Sequence, residues 1–211
     1  MPRVVDHESR RSDIAGALWR VVVRDGIAAV SVRSVAKELG HAPSSLRHYF
    51  TTQAELMEFA LASLLDGARQ RLESRIAGYD PDEDRIAWLA ELFKEGLPLD
   101  GRRAAEVEIW MALHRHEQDG GSLSQAMRRE WRESQQLCRF AVATLAHGTP
   151  RDDMAELLDE RLELETTLLH TFWDGLTLDA SSRPSEVSPE LIDDLLTAYL
   201  RFLDERLHGG N

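Results

Sequence analysis

The stretch "SVRSVAKELGHAPSSLRHYF", residues 31–50, decides how this chain is read. Val32, Val35, Ala36 and Leu39 fall at i, i+3, i+4 and i+7, the spacing of one apolar stripe on a helix. Ala36 is small enough for a second helix to cross closely. Gly40 gives the backbone freedom for a tight turn, and Pro43 suits the first position of the next helix. That helix anchors through Leu46 and Phe50. At about 100° per residue, Ser44 and His48 point directly away from Leu46, and Ser45 and Arg47 flank them. Two helices joined by a three-to-four-residue turn, the second presenting small polar and basic side chains, form a helix-turn-helix. Its outward face suits a major groove: Ser and His exchange hydrogen bonds with base edges, while Arg47 and Tyr49 reach phosphates. The alternative is a structural helical corner whose polar face is merely solvated.

Charge is distributed in keeping with the first reading. The 211 residues carry a net charge of −12, which argues against a general nucleic-acid binder. Residues 1–50 nevertheless hold eight Lys/Arg against five acids, so the acidic excess lies wholly in the rest of the chain. A basic head on an acidic body is implied. With 43% hydrophobic and 29% charged residues, the chain can build a sizeable core. No apolar run approaches the ~18 residues of a membrane span, and "MPRVVDHESRR" lacks the apolar region of a signal peptide. Cys138 is the only cysteine, which excludes an intrachain disulfide and a cysteine-based zinc site. A cytoplasmic protein is expected.

Helix punctuation continues throughout. Asp80 with Pro81 and Glu83, Thr52 with Glu55, Ser122 with Gln125, Thr149 with Pro150, and Ser188 with Pro189 all read as helix starts. Gly26, Gly40, Gly78, Gly96, Gly120–Gly121 and Gly148 read as stops. The expectation is an all-α chain of about nine helices, near 8–25, 32–39, 43–50, 53–77, 81–96, 101–118, 122–147, 151–179 and 188–207. A boundary near residue 50 divides it into 1–52, a three-helix helix-turn-helix DNA-binding domain, and 53–211, a helical body.

The segment "RRSDIAGALWRVVVRDGIAAVSVRSVAKELGHAPSSLRHYFTTQAELMEFAL" resembles the DNA-binding domain of the tetracycline-repressor (TetR) family. Gly26, Ser31-Val32, Val35-Ala36, Leu39-Gly40, Leu46, Tyr49-Phe50 and Leu56 match its pattern in order and spacing over about 50 residues. Ala42 stands where that pattern has a capping Ser, Arg47 where it has Tyr, and Gln53 where it has Lys. Ser31, Arg33, Ser44, Ser45, Arg47, His48 and Tyr49 are the candidate DNA contacts. The resemblance implies a sequence-specific transcriptional regulator, a repressor released from double-stranded DNA by a small molecule, with 53–211 sensing that effector and dimerising. Through "LPLDGRRAAEVEIWMALHRHE" and "FWDGLTLDA" this body looks most like the choline-regulator (BetI) type.

The last two helices carry apolar faces wider than one stripe, which need cover on more than one side. Pairing them with their two-fold mates gives a four-helix homodimer interface. Leu169, Phe172, Leu176, Leu195, Tyr199 and Phe202 are its candidates, and a palindromic operator requires two heads. Trp88, Phe93, Trp110, His114, Trp131, Phe172 and Trp173 are the candidate effector contacts, with Gln136 and Glu165 as further polar groups; core packing is the competing account of these aromatics. "HRH" at 114–116 is no metal site, because helix residues two apart point roughly 200° from each other. No cofactor, metal or membrane partner is implied. An enzyme is disfavoured by the lack of a Gly-rich phosphate loop, "HExxH" or a serine nucleophile elbow. A helical interaction module that does not bind DNA is the other alternative.

Overall fold

Local capping chemistry sets where the helices begin and end. The computed structural model describes residues 7–116, 122–150 and 160–209. Its elements are α1 (His7–Asp25), a 3₁₀ turn (Ile27–Ala29), α2 (Val32–Glu38), α3 (Pro43–Leu46), α4 (Gln53–Ala77), α5 (Arg85–Lys94), α6 (Gly101–His116), α7 (Ser122–His147), α8 (Glu160–Ser182) and α9 (Pro189–His208). No strand occurs among the described residues, and the protein is all-α. None of the described helices is long and apolar enough to cross a membrane.

Several starts differ from the expectation for identifiable reasons. Helix α5 begins four residues later than expected, because Asp84 is its cap and accepts from the Ile86 and Ala87 amides. Asp80 instead accepts from the Asp82 amide at 3.0 Å, closing a local turn. Asp100, not singled out as a cap, accepts from both Arg102 N and Arg103 N at 2.9 Å and starts α6. Ser188 caps α9 as its Ser-Pro signature suggests. At the start of α4, Thr52 accepts from the Glu55 amide, while the Glu55 carboxylate reaches back to the Thr51 amide rather than that of Thr52. That bond holds the Glu55 carboxyl below its usual range. The expected start at Thr149–Pro150 leads into positions outside the described residues, and the side chains of Ser122 and Gln125 lie outside those described.

The chain divides into two compact units. The first takes the described residues up to Gly67 and those between Asp100 and Met127; the second takes Ala68–Leu99 and the residues from Arg128 on. The division therefore does not follow a single cut after residue 52. In the first unit, Ile14, Leu18 and Val21 of α1 pack with Val35 and Ala36 of α2, Leu46, Phe50, and Leu56, Phe59 and Ala60 of α4. Ala105 and Ile109 of α6 complete that core. The second unit is built from α5 (Trp88, Leu89, Leu92, Phe93), α7 (Cys138, Ala141, Val142, Leu145), α8 (Leu169, Leu176) and α9 (Ile192, Leu196, Leu200, Leu203).

Within the second unit, buried charge is paired. The Glu95 carboxylate accepts from Arg75 Nε at 2.6 Å and Arg71 Nε at 2.9 Å, tying the C-terminal half of α4 to the end of α5. Glu165, 2% exposed, is met by Arg206 of α9 at 2.5 Å. A buried carboxylate left alone would be costly, so each acid needs its arginine.

Candidate nucleic-acid interface

The turn between α2 and α3 is closed by backbone chemistry. His41 N donates to Ala36 O at 2.9 Å and Gly40 N to Lys37 O at 3.0 Å. This paired pattern ends a helix with a left-handed residue, and Gly40 holds φ +70°. Ala42 then stands at the cap of α3 with no side-chain hydrogen bond, and Pro43 occupies the first turn. The regular helix is accordingly shorter than the expected 43–50. It continues beyond Leu46 as overlapping turns, with Tyr49 N and Phe50 N both donating to Leu46 O at 2.9 Å.

Leu46 and Phe50 are buried, and Phe50 meets Phe59 of α4 with ring centroids 5.2 Å apart. Those anchors set the opposite face. Ser44, Ser45, Arg47 and His48 are all exposed, while Tyr49 is half-buried against the core of the first unit. On α2, Arg33 and Lys37 are exposed one turn apart. Ser31 sits differently: its hydroxyl accepts from the Ser34 amide and the Ser34 hydroxyl accepts from the Ser31 amide. Its side chain is committed to starting α2.

Not all of the basic head faces outward to a partner. Glu38 accepts from Arg20 Nε at 2.8 Å and from Arg24 at 2.7 Å, fastening α2 to α1. These bonds, from Arg24 first and then Arg20, hold the Glu38 carboxyl below the usual carboxylate range. The Arg24 guanidinium is raised in turn by Asp25 and Glu38. Arg33 and Arg47 lie outside that cluster of ion pairs, whereas the Lys37 charge adds to the Arg24 bond that holds the Asp25 carboxyl below its usual range. Gln53 also has a role that its missing charge concealed: its Nε2 donates to Val30 O at 2.6 Å, joining α4 to the residue before α2.

The aromatic candidates do not form one box. Trp110 packs on the core of the first unit. The others lie in the second. Trp88 is buried between Tyr79 and Phe140, with centroids at 4.6 and 6.0 Å. Phe93 is fully buried and meets Trp173 edge-on at 5.1 Å; the Trp173 indole donates to Phe93 O at 3.2 Å. Phe172 stacks on Tyr199 at 4.1 Å. Trp131 stands apart, 56% exposed, with its ring edge towards His170 at 6.4 Å. The side chain of His114 lies outside the described residues.

His170 is a polar group that the sequence reading passed over. It is buried on α8, with Ser134 Oγ of α7 2.8 Å from Nε2 and Asp174 Oδ2 3.4 Å from Nδ1. Ser134 sits in mid-helix and donates to Trp131 O at 2.9 Å, far from the strained turn that exposes a hydrolase serine. Burial pushes the Cys138 thiol up, keeping it protonated. Among the described residues no group of three His, Cys, Asp or Glu is placed to hold a metal ion.

The candidate interface residues differ in exposure in the single chain. Leu169 and Leu176 are buried in the second unit's own core and are not on an open face. Their neighbours are: Leu164, Leu168 and Leu178 of α8 are exposed, as are Leu191, Leu195 and Phe202 of α9.

Residues 85–204 match the family model of the C-terminal region of BetI-type transcriptional repressors. The HTH-type transcriptional regulator PksA of Bacillus subtilis (strain 168) is 30% identical over 205 residues, covering 95% of this chain and 92% of the relative. The HTH-type nicotine-responsive transcriptional repressor HdnoR of Paenarthrobacter nicotinovorans is 25% identical over 195 residues, covering 90% of this chain and 94% of its own. A transcriptional regulator from Rhodococcus sp. Rha1 superposes with TM-score 0.67 at 26% identity, over 92% of this chain and 95% of that one.

Proposed function

We propose, from the premise that the chain belongs to the TetR family of transcriptional regulators and carries a BetI-type C-terminal region, that it is a homodimeric repressor released from a palindromic operator by a small-molecule effector. The family is one of DNA-binding regulators and not of enzymes. The observation that carries the operator reading is the exposed row Ser44, Ser45, Arg47 and His48 set by the buried anchors Leu46 and Phe50. Ser44 and His48 read base edges; Arg47, Arg33 and Lys37 meet phosphates. Residues 1–52 carry this recognition, the remainder senses the effector and dimerises, and the protein works in the cytoplasm.

Two heads engage successive major grooves only near one helical turn of spacing, ~34–36 Å. An effector that favours a different spacing therefore lowers operator affinity by its preference for that state. Helix α4, continuous from Gln53 to Ala77, is the lever in this reading. The nicotine-responsive relative supports a small organic effector, and the exposed Trp131 beside His170 and Ser134 is the best-supported contact for it. Dimerisation is assigned to the exposed apolar row of α8 and α9, with the Phe172–Tyr199 stack joining the two helices. A cluster of that kind needs covering, and a second copy covers it symmetrically.

Sequencing the duplexes that the purified protein selects from a random pool tests the reading. An inverted repeat with half-sites about one turn apart is expected, bound more weakly as salt rises. Unselective recovery of DNA overturns it.

A further inference from the structure

The turn that precedes α2 is held by three side chains from three helices. Ser34 of α2 donates to Ala29 O at 2.8 Å, Gln53 of α4 donates to Val30 O at 2.6 Å, and Glu108 Oε1 of α6 accepts from Ile27 N at 3.1 Å. The third differs from the others in where it comes from. Glu108 lies 81 residues along the chain from Ile27, outside the segment that resembles a DNA-binding domain.

The chemistry of the bond explains why it is needed. Gly26 closes α1 by donating to Val22 O and turns the backbone at φ +79°. Ile27 then opens a 3₁₀ turn, so its amide has no partner within that turn. The Glu108 carboxylate supplies one from another helix, and a carboxylate accepting a backbone amide is a charge-assisted bond. The fit is close: a Cβ on Gly26 would lie 3.2 Å from the same Oε1. Ala105 and Ile109, three residues before and one after Glu108, are buried in the first unit's core and fix the register of α6 against this turn.

We propose that Glu108 is a positioning residue for operator recognition. By capping Ile27 from α6 it sets the turn from which α2 and α3 hang, and so gives a segment beyond the DNA-binding domain a direct hold on the recognition face. The proposal rests on the operator reading above. Glu108 is itself exposed and acidic, so removing its charge would by simple electrostatics favour DNA. A loss of affinity on its removal has the opposite sign and reports the cap.

Two variants of the protein test this. Glu108→Ala should lose about tenfold in affinity for the selected operator, the scale of one charge-assisted hydrogen bond. Its binding to a scrambled duplex should not fall, since losing a negative charge favours DNA non-specifically. Glu108→Gln, which keeps an acceptor oxygen at the same reach, should recover most of the loss. The Ile27 amide should exchange with solvent faster in Glu108→Ala than in wild type, with the amides of α2 unchanged. Operator affinity within twofold of wild type in the alanine variant overturns the proposal. So does a parallel fall in operator binding, scrambled-duplex binding and melting temperature, which is the mark of a merely structural residue. Should wild type select no sequence at all, the operator reading fails instead, and the Ile27 exchange rate still decides whether Glu108 caps the turn.

Discussion

The outer face of α3 and the outer faces of α8 and α9 are both exposed in the single chain, yet their chemistry is opposite. Around Leu46 the solvent-facing side chains are serine, arginine and histidine. Around Leu169 leucines stand among the exposed threonines Thr167 and Thr171: Leu168 is 41% exposed although its neighbour is wholly buried. Water solvates the first face at little cost, so it can wait for DNA as a free surface. The second loses free energy for every square ångström left wet, about 25 cal/mol per Å², which favours covering it with another apolar surface. Exposure alone therefore says little about a site; the kind of atoms exposed says what covers it.

The largest expected effect comes from putting the chemistry of one face on the other. Leu195→Glu places a carboxylate in the apolar row of α9, where pairing with a second copy would desolvate it. Sedimentation velocity should show a monomer, circular dichroism should show an unchanged helix content, and operator affinity should fall by about 10²–10⁴-fold as bivalent engagement is lost. A helical variant that still sediments as a dimer would put the interface elsewhere.

A smaller effect separates packing from effector binding inside the second unit. Gly96 faces the Trp173 ring so closely that an added Cβ would lie 2.4 Å from Cζ2. If Trp173 is a packed core residue, Gly96→Ala should destabilise by about 1–3 kcal/mol, read as a lower midpoint in thermal unfolding. An unchanged midpoint would show an indole free to move, as a ligand-binding side chain would be.

On the recognition face, His48→Ala should relax the preferred base at one or two positions per half-site, each worth ~1–3 kcal/mol. Sequences selected by the variant should show it; a preference identical to wild type at every position removes His48 from base readout. The mildest change is expected from Arg47→Ala. Affinity should weaken alike for all operator variants, with the slope of log affinity against log salt shallower by about one. An unaltered slope would leave Arg47 without a phosphate.

The helix-turn-helix was legible because its determinants are local. The stripe Val32, Val35, Ala36 and Leu39, the left-handed Gly40 and the anchors Leu46 and Phe50 lie within 19 residues and need no distant partner to be recognised. The ends of α5 were less legible, because "DPDED" offers several carboxylates and only the packing of Trp88 and Leu89 selects Asp84 as the cap. The backbone bonds of Gln53 and Ser31 were not legible for a related reason. A short polar side chain serves a backbone group as readily as a ligand, and which it serves depends on what the fold brings near.

The sequence by itself determined the all-α class, the order of the helices and the polar outward face of α3, since all three follow from periodicity and capping within a few turns of chain. Tertiary structure alone decided which flank of α8 is inside. That helix has leucines at 162, 164, 168, 169, 176 and 178, apolar over so much of its circumference that adjacent positions such as Leu168 and Leu169 cannot be ranked by pattern. Only packing against α7 and α9 buries one and leaves the other wet. The hold of Glu108 on Ile27 belongs to the same class: no local rule links residues so far apart in sequence, and only folding brings the carboxylate to the unpaired amide.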